Sequence, residues 1–317
     1  MWIIYELTKK YSLMQTKKLI LVVGSANTDL VVSAAHFPAP GETIMGDNFM
    51  VNNGGKGANQ AVAAARLGGD VAFVCKLGTD GFGDNTYRML ESEGIDVSHV
   101  TRTSEVSSGV ALITVDRNGE NTIVVNSGAN ALLTPKDVDA AEELFKKAGI
   151  VLMQLETPVE TLVEAAKLGK KHGAKVILNP APAPKEPLPE ELTGNVDLII
   201  PNETEASQIS GVEVKDVETA KQALVAIRAK GAETVLTLGG KGVAVLDGGE
   251  LAVVPAYKVK AVDTTAAGDT FCGALCVAMT NGMPMLKALD FANKAASVSV
   301  TRAGAQQSMP RLEEVTQ

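Results

Sequence analysis

The sequence predicts an α/β protein, a three-layer α/β/α sandwich around a mostly parallel sheet, with a small extra β-sheet as a lid. Apolar runs alternate with helical segments along most of the chain. The runs, such as "KLILVVGS" at 18–25, lack polar alternation, which is typical of strands covered on both faces. Two segments, 29–52 and 109–125, break this rhythm and have the pattern of short antiparallel strands.

Strands and helices follow one another in a regular order. After the first strand, further strands are predicted at 70–78, 149–156, 174–180 and 196–202, and 233–242 is predicted as a strand running into a glycine turn. Helices are predicted at 55–69, 84–94, 217–231, 268–282 and 285–304, several of them closed by glycine. In 109–125, Asn118-Gly119 between β-rich runs indicates a hairpin. Because the two irregular segments lie beside the predicted ligand loops, we expect their sheet to act as the lid.

Composition bounds the class of protein. The chain has 317 residues, of which 45% are hydrophobic, so a large soluble core is expected. We expect residues 1–16 to be an N-terminal extension, because a second methionine, Met14, lies just before the first clear strand. Their apolar run "WII" is too short for a signal peptide or a membrane span. Residues 17–317 then form a single domain.

Charge and cysteine usage narrow the partners and the compartment. A net charge of −8 argues against nucleic-acid or anionic-membrane partners. Three cysteines without paired spacing indicate a reduced, cytoplasmic protein, with Cys272 and Cys276 packed in the core. The three histidines are scattered, so the chemistry is expected to depend on carboxylates, amides, lysine and backbone.

Polar residues follow several predicted strands, where an open parallel sheet binds its ligands. Asn27 and Asp29 follow the first strand, and Glu156, Asn202 and the glycines of 239–242 follow later ones. Each alone is also explained as an ordinary turn residue. Their shared position at strand ends favours a ligand site.

The stretch "DTTAAGDTF" at 263–271 is the strongest functional signal. Neither a P-loop pattern nor a G-x-G-x-x-G after the first strand is present. Small residues before Asp269 would let an anion approach the free N–H groups of a helix start. An aspartate in a first helical turn also complements the helix dipole, but that role does not require Ala266, Ala267 and Gly268 to be small. The combination suits phosphoryl transfer with Asp269 as proton acceptor.

These motifs resemble those of the ribokinase family of carbohydrate kinases. "NNGGKGANQAVAAARLGG" resembles the family's N-terminal glycine signature and "DTTAAGDTFCGAL" its C-terminal one. "GSANTDLVV", "MQLETP", "PNETEA" and "TLGGKGV" also match, so the resemblance covers almost all of the chain after residue 17. One departure is Ala266, where the family usually has glycine. The resemblance implies the Rossmann-like, ribokinase-like form of the α/β sandwich.

The resemblance also implies roles for individual residues. Asp269 corresponds to the general base, and the amides of Ala266, Ala267 and Gly268 to the anion hole. The implied sugar-binding positions are Asn27, Asp29, Gly55, Lys56, Asn59, Glu156 and Asp269. The implied nucleotide-binding positions are Asn202, Thr237, Leu238, Gly239, Gly240, Lys241, Gly242, Gly268 and Asn293. Asn202 and Glu205 correspond to an element that organises Mg²⁺ through water, and the implied K⁺ site consists of Asp263, Thr265, Ser299, Arg302, Gly304 and Ser308.

The implied activity is ATP-dependent phosphorylation of D-ribose at the 5-hydroxyl, with Mg²⁺ and an activating K⁺, in a homodimer paired through the lid sheet. Alternatives are a kinase for deoxyribose, fructose or a nucleoside, and a non-catalytic sugar-binding regulator. The intact Asp269 and "NETE" argue against the regulator. A Rossmann oxidoreductase would need the glycine fingerprint that this chain lacks.

Overall fold

A computed structural model describes residues 18–316 of the protein. The predicted extension, 1–16, lies outside the described residues and stays a prediction. The strands are β1 (Leu19–Val23), β2 (Asn27–Ala34), β3 (Gly46–Gly54), β4 (Val71–Gly78), β5 (Val100–Thr103), β6 (Gly109–Val115), β7 (Asn121–Asn126), β8 (Ala148–Met153), β9 (Lys175–Leu178), β10 (Leu198–Ile199), β11 (Glu233–Thr237), β12 (Val243–Asp247) and β13 (Glu250–Val254). The helices are α1 (Lys56–Arg66), α2 (Gly81–Ser92), α3 (Pro135–Asp139), α4 (Glu142–Lys147), α5 (Val159–Lys171), α6 (Glu190–Thr193), α7 (Glu203–Ser210), α8 (Val217–Arg228), α9 (Ala267–Thr280), α10 (Met285–Ser299) and α11 (Leu312–Thr316).

The larger sheet has nine strands in the order β13-β12-β11-β10-β9-β8-β1-β4-β5. The seven strands β11-β10-β9-β8-β1-β4-β5 pair in parallel with their neighbours. Strands β12 and β13 add an antiparallel hairpin at the β11 edge. The chain builds outward from β1 in both directions, so β1 and β8 flank the topological switch point of the sheet. Ligands bind at such a point, outside the carboxyl ends of the strands.

Helices cover both faces of this sheet. Along β1, Ile20 and Val22 point into a core formed with α1, α2, α9 and α10. Leu21 and Val23 point into a second core, formed with α3 to α8. Because successive side chains of a strand face opposite ways, a strand buried on both faces must be apolar throughout. The predicted three-layer α/β/α sandwich is confirmed.

Helices α1 and α9 lie in unusually close contact. Gly273 allows this approach, because a Cβ atom there would lie 2.8 Å from the Cβ of Ala63, from the nitrogen of Ala64 and from the carbonyl oxygen of Gln60. Ten residues of α9 are buried, which explains why its sequence is apolar nearly all round. The close contact brings the first turn of α9 against the side chains of α1.

The smaller sheet has the strand order β3-β2-β6-β7. Its outer pairs are antiparallel, as predicted, and β2 pairs with β6 in parallel at the centre. The predicted hairpin is present: Asp116 donates its N–H to the carbonyl of Glu120, and Gly119 in the turn has a φ of 82°. The two excursions of the chain predicted as a lid, 29–52 and 109–125, therefore form one sheet, which begins slightly earlier, at Asn27.

Several predicted bounds differ from those observed. The last long helix ends at Ser299 rather than 304, and the helix predicted at 84–94 begins earlier, at Gly81. The strand predicted at 196–202 is reduced to Leu198–Ile199. Helix α5 and the edge hairpin were not predicted. Between residues 18 and 316, no helix is long and apolar enough to cross a membrane.

Candidate active site

The residues predicted to bind sugar meet at the switch point of the large sheet. Glu156, beyond β8, accepts hydrogen bonds from the hydroxyl of Ser25 at 2.6 Å and from the N–H of Lys56 at 3.0 Å. Asn27, beyond β1, accepts a hydrogen bond from Nδ2 of Asn130 at 2.7 Å. These contacts join the ends of β1 and β8 to the start of α1 and form one wall of the site.

The glycine loop before α1 is held against the turn between β1 and β2. Gly55 has a φ of 85°, in the left-handed region, and a Cβ there would lie 2.6 Å from the nitrogen of Asn27. A Cβ at Gly57 would lie 2.6 Å from the nitrogen of Ser25. Only glycine permits both the backbone conformation and the close approach. The loop thereby places Lys56 at the switch point and not on the surface.

Four acidic side chains, those of Asp29, Glu156, Glu205 and Asp269, interact electrostatically with one another or with Lys56. Burial, together with the charges of Glu156 and Asp269, raises the pKa of Asp29 to about 6. Burial opposes the charge of Lys56, but the nearby carboxylates of Asp269, Glu156 and Glu205 outweigh it and raise the lysine's pKa. Lys56 is therefore charged and is the cation that offsets the acidic cluster.

Asp269 lies in the first turn of α9 and is only 7% exposed. Its Oδ2 accepts from Nδ2 of Asn59 at 2.9 Å, and its Oδ1 accepts from Nε2 of Gln60 at 3.0 Å. Burial raises the pKa of Asp269, whereas the charge of Lys56 and these two amides oppose the rise. Asn59 could alternatively have been a helix cap, but its side chain instead donates to Asp269, the predicted base. Gln60 was not among the predicted site residues.

The turn at the start of α9 contains Ala266, Ala267 and Gly268, the residues predicted to form the anion hole. Ala266, the N-cap, has a φ of 59° and is the only non-glycine residue between 18 and 316 with a positive φ. This conformation bends the chain so that α9 starts at Ala267, whose N–H donates to the carbonyl of Thr264 at 3.2 Å. The N–H of Gly268 has no backbone acceptor among the described residues, and a Cβ on this exposed residue would meet no atom within 4 Å. Open space therefore faces Gly268.

That space belongs to a cavity of about 740 Å³. Its lining includes Asn202, Thr237, Gly239, Gly240, Gly242, Gly268 and Asn293, all predicted as nucleotide-binding. Leu238 and Lys241 do not line it: Leu238 is buried and Lys241 forms an ion pair with Glu203. Asn293 donates to the carbonyl oxygens of Val254 and Pro255, so it fixes the loop after β13. Tyr257, Phe271 and Val300 also line the cavity and were not predicted.

Asn202 and Glu205 form a reciprocal capping box at the start of α7. Asn202 Oδ1 accepts from the N–H of Glu205, and the two oxygens of Glu205 accept from the backbone N–H and side-chain amide of Asn202. Among the described residues, no group of three or more acidic, His or Cys side chains is placed to hold a metal ion. With their oxygens already engaged in this way, the two residues suit a hydrated ion held through water.

The residues predicted for K⁺ bring two loops together. Asp263 accepts from the N–H of Thr265 at 2.8 Å and from the N–H of Gly304 at 2.9 Å. Ser299 and Ser308 turn their hydroxyls to nearby carbonyls, at Ala296 and Ala305. Arg302 forms an ion pair with Glu314. Binding of a monovalent cation by backbone carbonyls at this junction stays a prediction.

Comparison with known proteins identifies the family of the chain. The profile of the pfkB family of carbohydrate kinases matches residues 17–312. The chain is 45% identical to a ribokinase of Haemophilus influenzae, over 94% of this chain and 97% of that protein. It is 40% identical to a deoxyribokinase of Salmonella typhi, over 93% and 96%. A structure of Arabidopsis thaliana ribokinase complexed with ribose and ATP matches with a TM-score of 0.89 and 35% identity, over 95% of this chain and 98% of that one. The chain belongs to the pfkB family of carbohydrate kinases.

Proposed function

We propose that the protein transfers the γ-phosphoryl group of ATP to the 5-hydroxyl of D-ribose, giving D-ribose 5-phosphate and ADP. The observation that carries this proposal is the position of the first turn of α9. Gly268 borders the large cavity, while the adjacent Asp269 faces the sugar-binding positions on α1. A ribokinase is 45% identical over nearly the whole chain, and the Arabidopsis neighbour was solved with ribose and ATP.

The chemistry follows from this arrangement. The C5 oxygen attacks the γ-phosphorus, the bond from that phosphorus to the bridging β–γ oxygen breaks, and ADP leaves. Asp269 accepts the hydroxyl proton; its burial favours proton uptake, and Lys56 keeps it ionised before the reaction. The free N–H groups at the start of α9 stabilise negative charge on the transferring group. Asn27, Asp29 and Glu156 offer acceptors and donors for the sugar hydroxyls.

Two metal ions are part of the proposal. Mg²⁺ supplies charge neutralisation at the phosphates and would be held by Asn202 and Glu205 through water. K⁺ would occupy the junction tied by Asp263, where the predicted set is Asp263, Thr265, Ser299, Arg302, Gly304 and Ser308. Equal activity in potassium, sodium and caesium buffers would contradict the K⁺ proposal.

The lid sheet supports the proposal of a homodimer. Cross-strand pairing puts Val51, Leu30, Leu112 and Val124 in one row on one face, and Asp29 and Ala111 on the other. The face with Asp29 covers the sugar side. On the outer face, Val51 and Leu112 are each 53% exposed and Val124 is 66% exposed. A second copy of this chain would cover that row, and light scattering of wild type against Leu112→Arg tests it: a monomeric wild type rejects the dimer.

The remaining proposals concern organisation and compartment. Residues 17–317 form one domain that carries its lid sheet. Three free, buried cysteines suit a reducing cytoplasm. Small molecules, rather than nucleic acid or membranes, are the proposed partners of this acidic chain.

Coupled ADP release with ATP, Mg²⁺ and K⁺ tests the activity across ribose, 2-deoxyribose, fructose and adenosine. We expect the highest kcat/KM for ribose. The 40% identical deoxyribokinase makes 2-deoxyribose the second candidate, and faster turnover of that sugar would change the proposed substrate but not the mechanism. Sugar binding without any turnover would instead support the regulator.

A further inference from the structure

Three carboxamides, two of them fully buried, form a hydrogen-bonded chain that ends at Asp269. It consists of Gln154 beyond β8, Gln60 on α1 and Asn179 beyond β9, and is called the carboxamide chain below. Gln60 donates both hydrogens of Nε2, to Oδ1 of Asp269 at 3.0 Å and to Oδ1 of Asn179 at 2.9 Å. Gln154 donates from its Nε2 to Oε1 of Gln60 at 2.6 Å. Gln60 and Gln154 are both 0% exposed, so neither touches a substrate.

The direction of each hydrogen bond in the carboxamide chain is determined by its ends. Asn179 donates from Nδ2 to the carbonyl oxygen of Ile200 at 2.8 Å, and a carbonyl oxygen can only accept. Oδ1 of Asn179 must therefore be the acceptor that faces Gln60. An ionised Asp269 also only accepts, so both neighbours require the Nε2 side of Gln60. The amide cannot turn round without placing acceptor against acceptor twice.

The carboxamide chain leaves one buried oxygen, Oε1 of Gln154, without a hydrogen-bond partner among residues 18–316. This oxygen lies against Gly24, where a Cβ would be only 2.1 Å away. An unpaired buried oxygen is unfavourable, and an apolar side chain of the same shape would avoid it. The donor that Gln154 gives to Gln60 is the compensating feature.

Gln60, like Asn59, differs from the charged groups that act on Asp269, because an amide does not titrate. The titratable groups that act on it through charge are Lys56 on α1, Asp29 on β2, Glu156 beyond β8, Glu205 on α7 and Cys272 on α9. The effect of each depends on its own protonation. A donor fixed by the carboxamide chain is present at every pH and has one direction.

We propose that Gln60 is a positioning residue for phosphoryl transfer: its Nε2 fixes the plane of the Asp269 carboxylate and favours the ionised form, while Asn179 sets the orientation of Gln60 and Gln154 supplies a donor to its Oε1. The inference rests on the proposed role of Asp269 as general base. Asn59 holds the other oxygen of Asp269 but is itself a predicted sugar contact, whereas fully buried Gln60 acts only through Asp269.

The test compares Gln60→Met with Gln154→Met. Gln60→Met keeps the length of the side chain and removes its donors, so we expect kcat to fall about 10- to 100-fold, as for loss of a hydrogen bond to a charged group. The KM and calorimetric Kd for the sugar should stay within about threefold. Since a hydrogen bond to the ionised form lowers a pKa, the acid limb of the kcat profile should move to higher pH. Gln154→Met leaves both Nε2 hydrogen bonds of Gln60 in place, so the acid limb of this variant should remain where it is in wild type.

A merely structural role gives a different result: both variants lose stability and kcat in parallel, with no movement of the acid limb, and this would overturn the proposal. If Gln60→Met does not fold, Gln60→Glu keeps the shape. Its carboxyl donates to Asp269 only when protonated, so kcat should fall as pH rises through a range where wild type is constant. An unchanged profile in Gln60→Glu would contradict the proposed role.

One measurement separates this proposal from the proposed function. Carboxyl NMR titration of Asp269, assigned with Asp269→Asn, requires no turnover. Gln60→Met should raise the pKa of Asp269 and Gln154→Met should not, whichever sugar is the substrate. Absence of wild-type activity on all four sugars would contradict the proposed function alone, whereas an unmoved Asp269 titration in Gln60→Met would contradict the role of Gln60 alone.

Discussion

The amide nitrogen of Asn59 lies 2.9 Å from Oδ2 of Asp269 and joins residues 210 positions apart in the chain. On its other side, Oδ1 of Asn59 accepts from Nε2 of Gln306 at 3.1 Å. Gln306 can donate only from this nitrogen, so the amide of Asn59 is held with its NH₂ group toward Asp269. Asp269, the proposed base, is thus held by a contact from α1 that the C-terminal segment orients.

Asn59→Asp should therefore replace a donor by a second carboxylate beside Asp269. Like charges raise the pKa of such a pair, so the acid limb of the kcat profile should move to higher pH and kcat at pH 7 should fall by at least about tenfold. KM for the sugar should also rise, since Asn59 is a predicted sugar contact. Asn195→Asp, at a half-buried residue whose amide donates to the backbone carbonyl of Glu191, is the matched control. Coincident pH profiles for Asn59→Asp and wild type would contradict the assignment of Asp269 as the base.

Asp269→Asn removes the proton acceptor while keeping the size of the side chain. We expect kcat to fall by about 10³-fold or more, within the range for loss of a general base, with little change in the sugar Kd. Steady-state kinetics and calorimetry measure the two quantities. Asp247→Asn, at the exposed end of β12, is the control and should have wild-type activity. A loss of sugar affinity that accounts for the whole effect would show that Asp269 binds rather than catalyses.

The raised pKa of Asp29 predicts a dependence of stability on pH. Its pKa is about 6 in the folded protein against an ordinary value of 3.8. Between these values the folded state holds more protons than the unfolded state, so the free energy of unfolding decreases as pH rises through this window. Asp29→Asn should remove this decrease and be more stable than wild type above pH 6 but not below pH 4. Urea unfolding at several pH values measures it, and a pH-independent difference would contradict the assignment.

The same carboxyl predicts a pH dependence of sugar binding. Ionised Asp29 accepts sugar hydroxyl hydrogens with both oxygens, whereas protonation turns one of these oxygens into a donor, so the sugar KM should rise as pH falls through about 6. The pH dependence of KM, measured at saturating ATP, tests this. Asp29→Asn should bind sugar more weakly at pH 8 and show a flatter profile.

Gly273 predicts an effect on catalysis from a residue that touches no substrate. An alanine methyl there would lie 2.8 Å from backbone and side-chain atoms of α1, so α9 must move away. We expect Gly273→Ala to cost about 1–3 kcal/mol of unfolding free energy, as for overpacking. It should also lower kcat, because Asp269 moves from Asn59. Gly81→Ala, at the start of α2 where a methyl meets no atom within 4 Å, should do neither.

Most of the fold could be predicted because the signals are local. Buried strands such as β1 are continuous apolar runs, and Asn118-Gly119 specifies its turn without help from the rest of the chain. Helix α5 was missed although Leu162, Ala165 and Ala166 have helical spacing. The end of α10 was placed too late, because "SVSVTRAG" carries no stop signal before Gly304 and the turn there depends on the hydrogen bond to Asp263.

Site residues that lie within contiguous motifs could be predicted. Contacts that form only through tertiary packing could not. Resemblance of two glycine-rich motifs placed Asp269 and Asn59 together. The hydrogen bonds that join Gln60 to Gln154 and Asn179 could not be predicted. Each of these residues is a polar residue in or beside an apolar segment, and a turn or a helix position is enough to explain it. Only the meeting of α1 with the ends of β8 and β9 gives these amides their partners.

The left-handed Ala266 gives a prediction of opposite sign for two neighbouring alanines. A non-glycine residue at a φ of 59° costs about 1–2 kcal/mol, whereas Ala267 lies in the helix, where glycine costs about 1 kcal/mol. Ala266→Gly should therefore be as stable as wild type or up to about 1 kcal/mol more stable, since glycine's unfolded-state entropy offsets part of the relief. Ala267→Gly should be about 1 kcal/mol less stable. Urea unfolding measures both, and equal destabilisation by the two substitutions would mean that Ala266 is not strained in the folded protein.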